Sequence, residues 1–276
     1  MFSLNCKGRL VLIKKPMVMG ILNITGDSFY AGSRVQTMDT ILSKTRQMIT
    51  EGADIIDIGG QSSRPGSDRI SEEDEMRRVL PVIELLAREF GNALLSIDTY
   101  YAGVAKNAVE AGASFVNDIS AGEMDKNMLK TVATLQVPYI CMHMKGVPET
   151  MHLDTVYEEI TIEILDFFIR KINQCSRAGI KDIIIDPGFG FGKTIAQNFT
   201  LLKNLAILAM PGKPVMAGLS RKSTIYKTLN IGVEDALNGT TVLHTLALQN
   251  GANIVRVHDV KEAVEVVTLF ETYAKA

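Results

Sequence analysis

Eight short apolar segments recur along the chain at intervals of about 34 residues. Each is rich in Ile, Val, Leu or Met and shows little polar alternation, which is typical of strands buried on both faces of a parallel sheet. The segments are residues 17–22, 55–58, 94–97, 115–116, 139–142, 183–185, 215–217 and 254–257. They predict eight strands and leave room for a helix between each pair.

The stretches between the segments carry helical patterns. Apolar residues follow helical spacing over 41–49 and 104–109. Ser71, with Asp74 three residues on, predicts a capped helix that runs towards Phe90 and is kinked at Pro81. Four glycines follow helical patterns shortly before the next strand, where a helix ends in a left-handed residue: Gly52, Gly112, Gly179 and Gly251.

A repeat of about 34 residues matches one strand-helix unit, and eight such units make a (β/α)8 barrel of about 250 residues. An open doubly wound sheet is the alternative, but it usually carries a GxGxxG turn after the first strand, and residues 20–26 lack one. No Pro/Ser-rich linker interrupts the chain. We therefore predict the α/β class, with one TIM-barrel domain over residues 1–276.

Charge and cysteine content narrow the function. The 29 Lys and Arg balance 31 Asp and Glu without a basic run, so we expect no nucleic-acid and no membrane partner. No apolar run reaches the ~18 residues of a membrane span, and Lys and Arg interrupt residues 1–16, which argues against a secretion signal. The 3 cysteines are scattered, so neither a disulfide framework nor a thiolate zinc site is predicted, and a cytoplasmic enzyme of small-molecule chemistry is expected.

Polar residues follow nearly every predicted strand, and in a barrel these carboxyl ends converge on one mouth. Taken alone, Asp98 could cap a helix near Tyr101, Asp186 could form a turn, and His258 could be a surface histidine. The polar residues that follow the predicted strands include Asn23, 59–66, Asp98, 117–118, His143, 186–193, 218–223 and 256–258.

Two motifs fail as nucleotide or metal sites. Residues 188–194 read GxxxGKT, one residue short of a P-loop, with Pro187 in place of its first glycine. Cys141 and His143 form a lone CxH without a second Cys/His cluster, so core packing is favoured over zinc. The glycines of 188–192 instead indicate close approach of the backbone to a ligand, and the phenylalanines an aromatic wall.

Together these segments resemble the dihydropteroate synthases, which are pterin-binding enzymes. The resemblance rests on 23–29, 57–66, 96–99, 117–119, 141–144, 186–193 (DPGFGFGK), 218–223 (GLSRKS) and 256–258, and it covers nearly the whole chain. It implies that (7,8-dihydropterin-6-yl)methyl diphosphate and p-aminobenzoate condense to dihydropteroate and diphosphate. It also implies Mg²⁺ as cofactor, a homodimer and inhibition by sulfonamides.

The resemblance assigns roles to residues of this chain. It implies that the catalytic residues are Asp98, Asn117, Asp186, Lys222 and Arg256. The pterin is expected to contact these five together with Ile119, Met142, Phe191 and Gly218. The diphosphate is expected on Asn23, Ser63, Arg256 and His258, with Asn23 as the Mg²⁺ ligand. p-Aminobenzoate is expected on Phe29, Arg64, Pro65, Phe191, Lys222 and Ser223.

The implied reaction is a dissociative, SN1-like substitution, in which Asp98 stabilises positive charge on the pterin methylene. The chain departs from the family pattern at Gly26, Tyr30, Gln61 and Ser63, where proline, serine, glutamate and threonine are usual. These four positions lie in the first two loops, so we expect them to affect loop order and affinity.

Three other functions remain open at this stage. A pterin-dependent methyltransferase barrel would share the pterin carboxylates but has no need of the Ser-Arg-Pro or Ser-Arg-Lys-Ser segments. A noncatalytic pterin-binding paralogue would bind the pterin diphosphate without releasing diphosphate. An unrelated aldolase barrel would use Lys222 as a Schiff base and could be trapped with borohydride.

Overall fold

The chain begins with a β-hairpin that was not predicted. The structure is a computed structural model, and it describes residues 1–24, 34–61, 69–147, 151 and 155–276. β1 (Phe2–Cys6) pairs antiparallel with β2 (Arg9–Ile13), and the two turn residues between them have φ of 54° and 87°. Buried and exposed side chains alternate along β1. The alternation is visible in the sequence and typical of a half-buried strand.

Eight parallel strands form the barrel, and all eight predicted segments are confirmed. Their order in the sheet is β8-β7-β6-β5-β4-β3-β10-β9. A single parallel bridge between Ile185 and Val215 joins the two ends of this row and closes the ring. The predicted (β/α)8 fold is therefore confirmed, while the one-domain organisation stays a prediction. The strands are β3 (Met17–Asn23), β4 (Ile55–Gly59), β5 (Leu94–Asp98), β6 (Phe115–Asp118), β7 (Tyr139–Met142), β8 (Ile183–Asp186), β9 (Met216–Ala217) and β10 (Ile254–Val257).

Helices surround the strands and bury the main core between the two layers. They are α1 (Arg34–Glu51), α2 (Glu72–Glu89), α3 (Ala102–Ala111), α4 (Met128–Leu135), α5 (Ile160–Ala178), α6 (Ile195–Lys203), α7 (Ser223–Leu229), α8 (Leu237–Gln249) and α9 (Val260–Lys275), with a 3-10 helix at Leu205–Ala209. The predicted cap of α2 is present, because the Ser71 hydroxyl accepts the Asp74 N–H at 3.1 Å. All four predicted end glycines have positive φ. Within the described ranges, no helix is long and apolar enough to cross a membrane.

The hairpin covers the amino-terminal end of the barrel. Leu4, Cys6 and Ile13 are buried in one cluster with side chains from the starts of the barrel strands. The Asn5 N–H also donates to the Asp182 carboxylate, just before β8, at 2.8 Å. Because this end is filled by apolar side chains, polar chemistry is confined to the carboxyl ends of the strands, as in other barrels of this kind.

Candidate active site

Arg256 on β10 bridges two carboxylates at the carboxyl end of the barrel. Its Nε donates to Asp57 Oδ2 and its Nη2 donates to Asp98 Oδ2, both at 2.6 Å. Asp57 and Asp98 lie on the neighbouring strands β4 and β5. Both bonds are charge-assisted, and they fix the plane of the guanidinium inside the mouth.

Asp57 was not among the predicted site residues. Its side chain is fully buried, and its Oδ2 also accepts from the predicted Asn117 Nδ2 at 2.9 Å. Among the described residues, no donor reaches Asp57 Oδ1. The sequence did carry a signal for Asp57, which is a lone carboxylate inside an apolar strand. A buried charge normally needs a partner, so a cation beside it could have been expected.

Burial and crowding set the protonation of Asp98. Burial raises its pKa to about 7, and although Arg256 lowers it, the nearby carboxylates Asp57, Asp118 and Asp186 raise it further. Burial also lowers the pKa of Arg256, but Asp57 and Asp98 hold it above its ordinary value. Arg256 therefore stays cationic, whereas Asp98 titrates close to neutral pH.

Asp186 and Lys222 face the same point beside Gly218. A Cβ atom built on Gly218 would lie 3.7 Å from Lys222 Nζ and 3.9 Å from Asp186 Oδ2. Asp186 Oδ1 accepts the Gly188 N–H at 2.8 Å, which leaves Oδ2 and further lone pairs for a ligand. Burial lowers the pKa of Lys222 to about 8, although Asp186 raises it. Burial raises the pKa of Asp186, and Lys222 opposes that shift.

Apolar side chains line one side of this mouth. Ile119 and Met142 are buried in a cluster with Tyr100, and Phe191 packs against that cluster. Lys222 donates a hydrogen bond to the Phe189 carbonyl group, and its Nζ lies 4.7 Å from the centre of the Phe191 ring. The structure thus brings the predicted apolar walls next to the predicted polar residues.

The remaining predicted residues lie at the ends of β3, β9 and β10. Asn23 is exposed at the end of β3, and Ser223 is the first residue of α7. His258 is bonded to Ser220, whose Oγ lies 3.0 Å from His258 Nδ1. The residue is exposed, while partial desolvation of the ring and the charge of Arg256 lower its pKa to about 4.

Comparison with known proteins decides which family this site belongs to. Residues 19–258 match the pterin-binding enzyme family. The dihydropteroate synthase of Haemophilus influenzae is 40% identical over 263 residues, which cover 95% of each chain. The chain belongs to the dihydropteroate synthases. It is therefore an enzyme of the transferase class, as the motifs predicted.

Solved structures of other dihydropteroate synthases have the same fold. The Yersinia pestis synthase, in complex with a sulfonamide drug, has a TM-score of 0.93 and 39% identity, with 100% of both chains covered. The Xanthomonas albilineans synthase with 4-aminobenzoic acid has a TM-score of 0.91 and 39% identity, covering 99% of this chain and 98% of that one. Its complex with 7,8-dihydropteroate has a TM-score of 0.87 and 36% identity, covering 99% of each chain.

Several predicted residues of this synthase lie outside the described ranges. They are the diphosphate residue Ser63, the p-aminobenzoate residues Phe29, Arg64 and Pro65, and the departures at Gly26 and Tyr30. Gln61 is described, and it contacts the end of β5. Its Nε2 donates to the Tyr100 hydroxyl, its Oε1 accepts the Ile70 N–H at 2.9 Å, and the Tyr101 hydroxyl donates to the Ile70 carbonyl group at 2.7 Å. Gln61 and Ile70, on either side of segment 62–68, thus contact Tyr100 and Tyr101. Neither tyrosine was among the predicted site residues.

The alternative interpretation of Asp98 as a helix cap is wrong. The first N–H groups of α3 find other acceptors: Thr99 Oγ1 accepts from Tyr101 N at 3.1 Å, and Asp125 Oδ2 accepts from Ala102 N at 2.8 Å. Asp98 is bonded to Arg256 instead. Asp186 does form a turn with Gly188, but it also faces the mouth, so both interpretations of that residue apply.

Proposed function

We propose that this enzyme condenses (7,8-dihydropterin-6-yl)methyl diphosphate with p-aminobenzoate to give dihydropteroate and diphosphate. The observation that carries the proposal is the pairing of Asp186 and Lys222 beside Gly218, next to the Asp57-Arg256-Asp98 group. Relatives of the same fold supply the ligand classes, since the Xanthomonas albilineans synthase has been solved with 4-aminobenzoic acid and with 7,8-dihydropteroate.

The pterin ring fits the buried polar groups. One edge of a pterin presents a ring N–H beside an exocyclic NH₂, and a single carboxylate can accept both, which is the role of Asp186. Asp98 would accept from a ring N–H, Asn117 would accept or donate at the other ring nitrogens, and Lys222 would donate to the ring carbonyl group and N5. Arg256 presents its planar face to the ring, because its Nε and Nη2 groups donate to Asp57 and Asp98, and its Nη1 group is left for the diphosphate. Ile119, Met142 and Phe191 supply the apolar contact.

The charges around the mouth favour a dissociative reaction. The C–O bond between the methylene group and the diphosphate breaks, and the leaving group takes the electron pair. The carboxylates Asp57, Asp98 and Asp186 gather around the two cations Arg256 and Lys222, and Asp98 in its ionised form would stabilise the positive charge that develops on the methylene group. The amine of p-aminobenzoate then forms the new C–N bond and loses a proton.

The diphosphate and its Mg²⁺ fit the end of β3. Asn23 offers an exposed amide oxygen, a hard donor of the kind that Mg²⁺ accepts, and Asn23 Oδ1 and Asp98 Oδ2 both lie within 3.7 Å of the Cβ position of Gly59. In the described part of the chain, no group of three or more His, Cys, Asp or Glu could hold a metal ion. Substrate phosphates and water would therefore complete the ligand set. Mg²⁺ held there would neutralise part of the charge on the leaving group, and His258 and Arg256 would donate hydrogen bonds to the diphosphate.

p-Aminobenzoate fits between Phe191 and the start of α7. Ser223 and its neighbouring N–H groups would bind the carboxylate, and the Lys222 stem and Phe191 would contact the ring. Phe29, Arg64 and Pro65, which lie outside the described residues, remain predictions for the same subsite. The sulfonamide complex of the Yersinia pestis synthase supports a subsite for ligands of this shape.

Condensation of the two substrates is the direct test. We expect the purified enzyme to form dihydropteroate with Mg²⁺ present and to lose most of its activity with EDTA. Sulfonamides should compete with p-aminobenzoate. A protein that binds the pterin diphosphate but releases no diphosphate on addition of p-aminobenzoate would be a noncatalytic paralogue, and the proposal would be wrong.

The pH profile should report Asp98 and Lys222. Asp98 must be ionised to stabilise the cation, and its pKa of about 7 predicts that kcat/KM rises as the pH passes 7. Lys222 must be protonated to donate, and its pKa of about 8 predicts a fall above pH 8. Asp98→Asn should remove the acid limb, and Lys222→Arg should shift the alkaline limb upward. An alkaline limb unchanged in Lys222→Arg would contradict the assignment.

A homodimer is also proposed, from the outer face of the last three helices. Leu229 on α7, Val242 and Leu246 on α8, and Leu269 and Tyr273 on α9 are all 40% exposed or more. The pairs on α8 and α9 are each four residues apart, so they share one helix face. Large exposed apolar side chains on three consecutive helices are typical of an interface between subunits. Cytoplasmic localisation stays a prediction.

A further inference from the structure

Two motifs that were rejected as nucleotide and metal sites meet beyond the carboxyl ends of β7 and β8. Lys193 is the lysine of the GxxxGKT segment, and His143 ends the CxH segment. The Lys193 Nζ lies 3.0 Å from His143 Nδ1, and both residues are buried. Neither has a part in the proposed reaction, so their contact needs its own explanation.

Burial lowers the pKa of Lys193, and Asp186 opposes that shift, while the acceptors around its Nζ match the three hydrogens of an ammonium group. It donates to the carbonyl oxygens of Gly188 and Phe191, both at 2.9 Å, and to His143 Nδ1. His143 can accept because it is neutral: burial, with Lys193 adding to it, lowers its pKa to about 2. A buried lysine whose three donors are used in this way holds its partners in one geometry.

The acceptors of Lys193 are the two ends of the glycine-rich turn 188–191. Within the turn, the Phe191 N–H donates to the Gly188 carbonyl group at 3.1 Å. Gly188 has φ of 65°, and a Cβ atom there would lie 2.0 Å from the His143 carbonyl oxygen, so only glycine fits this close approach. The turn therefore packs directly against the residues after β7. Lys193 is hydrogen-bonded both to the turn and to His143.

The same turn holds Lys222. The Phe189 carbonyl group accepts a hydrogen bond from Lys222, and the Phe191 ring lies 4.7 Å from its ammonium group. Lys193 makes no hydrogen bond to Lys222 or Asp186, although both act on its charge electrostatically. The hydrogen-bonded connection between Lys193 and Lys222 runs through the turn.

We propose that Lys193 is a positioning residue, whose ammonium group fixes the turn 188–191 so that Phe189 and Phe191 hold Lys222 in place for the substrates. The inference rests on the proposed function of that site. Through the turn, Lys193 affects substrate affinity without contacting a substrate.

Lys193→Met tests this proposal, because it keeps the apolar stem and removes all three donors. We expect the KM values for p-aminobenzoate and for the pterin diphosphate to rise about tenfold, since Lys222 serves both substrates and small displacements of positioning groups have large effects, while kcat falls by less because Asp57, Asp98 and Arg256 are unaltered. Lys193→Arg should recover most of the affinity. Lys203→Met, on the exposed end of α6, is the matched control for loss of one lysine and should leave both constants unchanged.

A double-mutant cycle separates positioning from a general effect on folding. If Lys193 acts through the turn, Phe191→Ala should cost less in the Lys193→Met background than in the wild type. Lower thermal stability with unchanged KM, or fully additive effects, would show a structural role only and overturn the proposal.

His143 supplies a second route should Lys193→Met not fold. His143→Asn keeps an acceptor close to the Nδ1 position, whereas His143→Phe keeps the ring packing on Phe167 and removes the acceptor. We expect the KM to rise in His143→Phe and to stay within twofold in His143→Asn, and equal values in the two variants would overturn the proposal. Absence of condensation by the wild type would overturn the proposed function instead, so the two failures are distinguishable.

Discussion

Arg256→Met is expected to lower the free energy of unfolding by roughly 3–5 kcal/mol and kcat/KM by about a thousandfold. The stability loss follows from Asp57, whose carboxylate is fully buried and bonded to Arg256 Nε at 2.6 Å. Without the guanidinium, the amide of Asn117 is the one donor left to that charge among the described residues. The activity loss follows because Asp98 loses its partner and the pterin loses the planar cation beside it. Urea denaturation and steady-state kinetics measure the two effects.

A second substitution separates stability from catalysis. Asp57→Asn in the Arg256→Met background removes the unpaired charge, so we expect it to recover part of the lost stability and none of the lost activity. Arg77→Met is the matched control, since Arg77 forms exposed pairs with Glu73 and Asp74 on α2, and such pairs contribute little. An Arg256→Met enzyme with wild-type stability and kcat/KM within tenfold would contradict the role of Arg256 as the central cation.

Asp186→Asn should weaken pterin binding by about a hundredfold or more, because a buried charge pair with the ligand is lost. The asparagine has nearly the same shape but places an NH₂ group where one carboxylate oxygen stood. That NH₂ group would face either the ligand's own donors or the Gly188 N–H, which Asp186 Oδ1 accepts at 2.8 Å. Calorimetric titration with the pterin diphosphate, in the absence of p-aminobenzoate, measures the loss directly.

The control lies at the other end of the same strand. Asp182 precedes β8 and accepts the Asn5 N–H of the amino-terminal hairpin at 2.8 Å. Asp182→Asn therefore changes the same residue type on the side of the barrel away from the mouth, and we expect pterin affinity to be unchanged. If Asp186→Asn bound the pterin within about fivefold of the wild type, Asp186 would not be the acceptor of the pterin edge.

The barrel could be predicted because its strands are buried on both faces. Such strands must be continuously apolar, and their regular spacing gave both the fold and the edge at which polar residues gather. The glycines that end the helices could be predicted for a related reason, since Gly52 and Gly112 need positive φ, with values of 103° and 134°.

The hairpin and the role of Asp57 were missed because both depend on residues that are distant in the sequence. β1 and β2 are short and flanked by charged residues, and their burial comes from the barrel floor rather than from each other. Asp57 lies inside an apolar strand, where the sequence does not show that Arg256, 199 residues away, supplies its cation. The contact between Lys193 and His143 joins two motifs that are 50 residues apart and have no recognisable relation in the sequence.

The closure of the barrel has a consequence for how substrate and protein support each other. β8 and β9 meet through one bridge, Ile185 to Val215, and β9 has just 2 residues. Asp186 is the last residue of β8, and Lys222 lies shortly after the end of β9. A pterin bound to both residues would therefore connect the two strands across this weakly paired seam. Binding energy would then resist local opening of the seam, and amide hydrogens there should exchange more slowly in the liganded enzyme than in the free one.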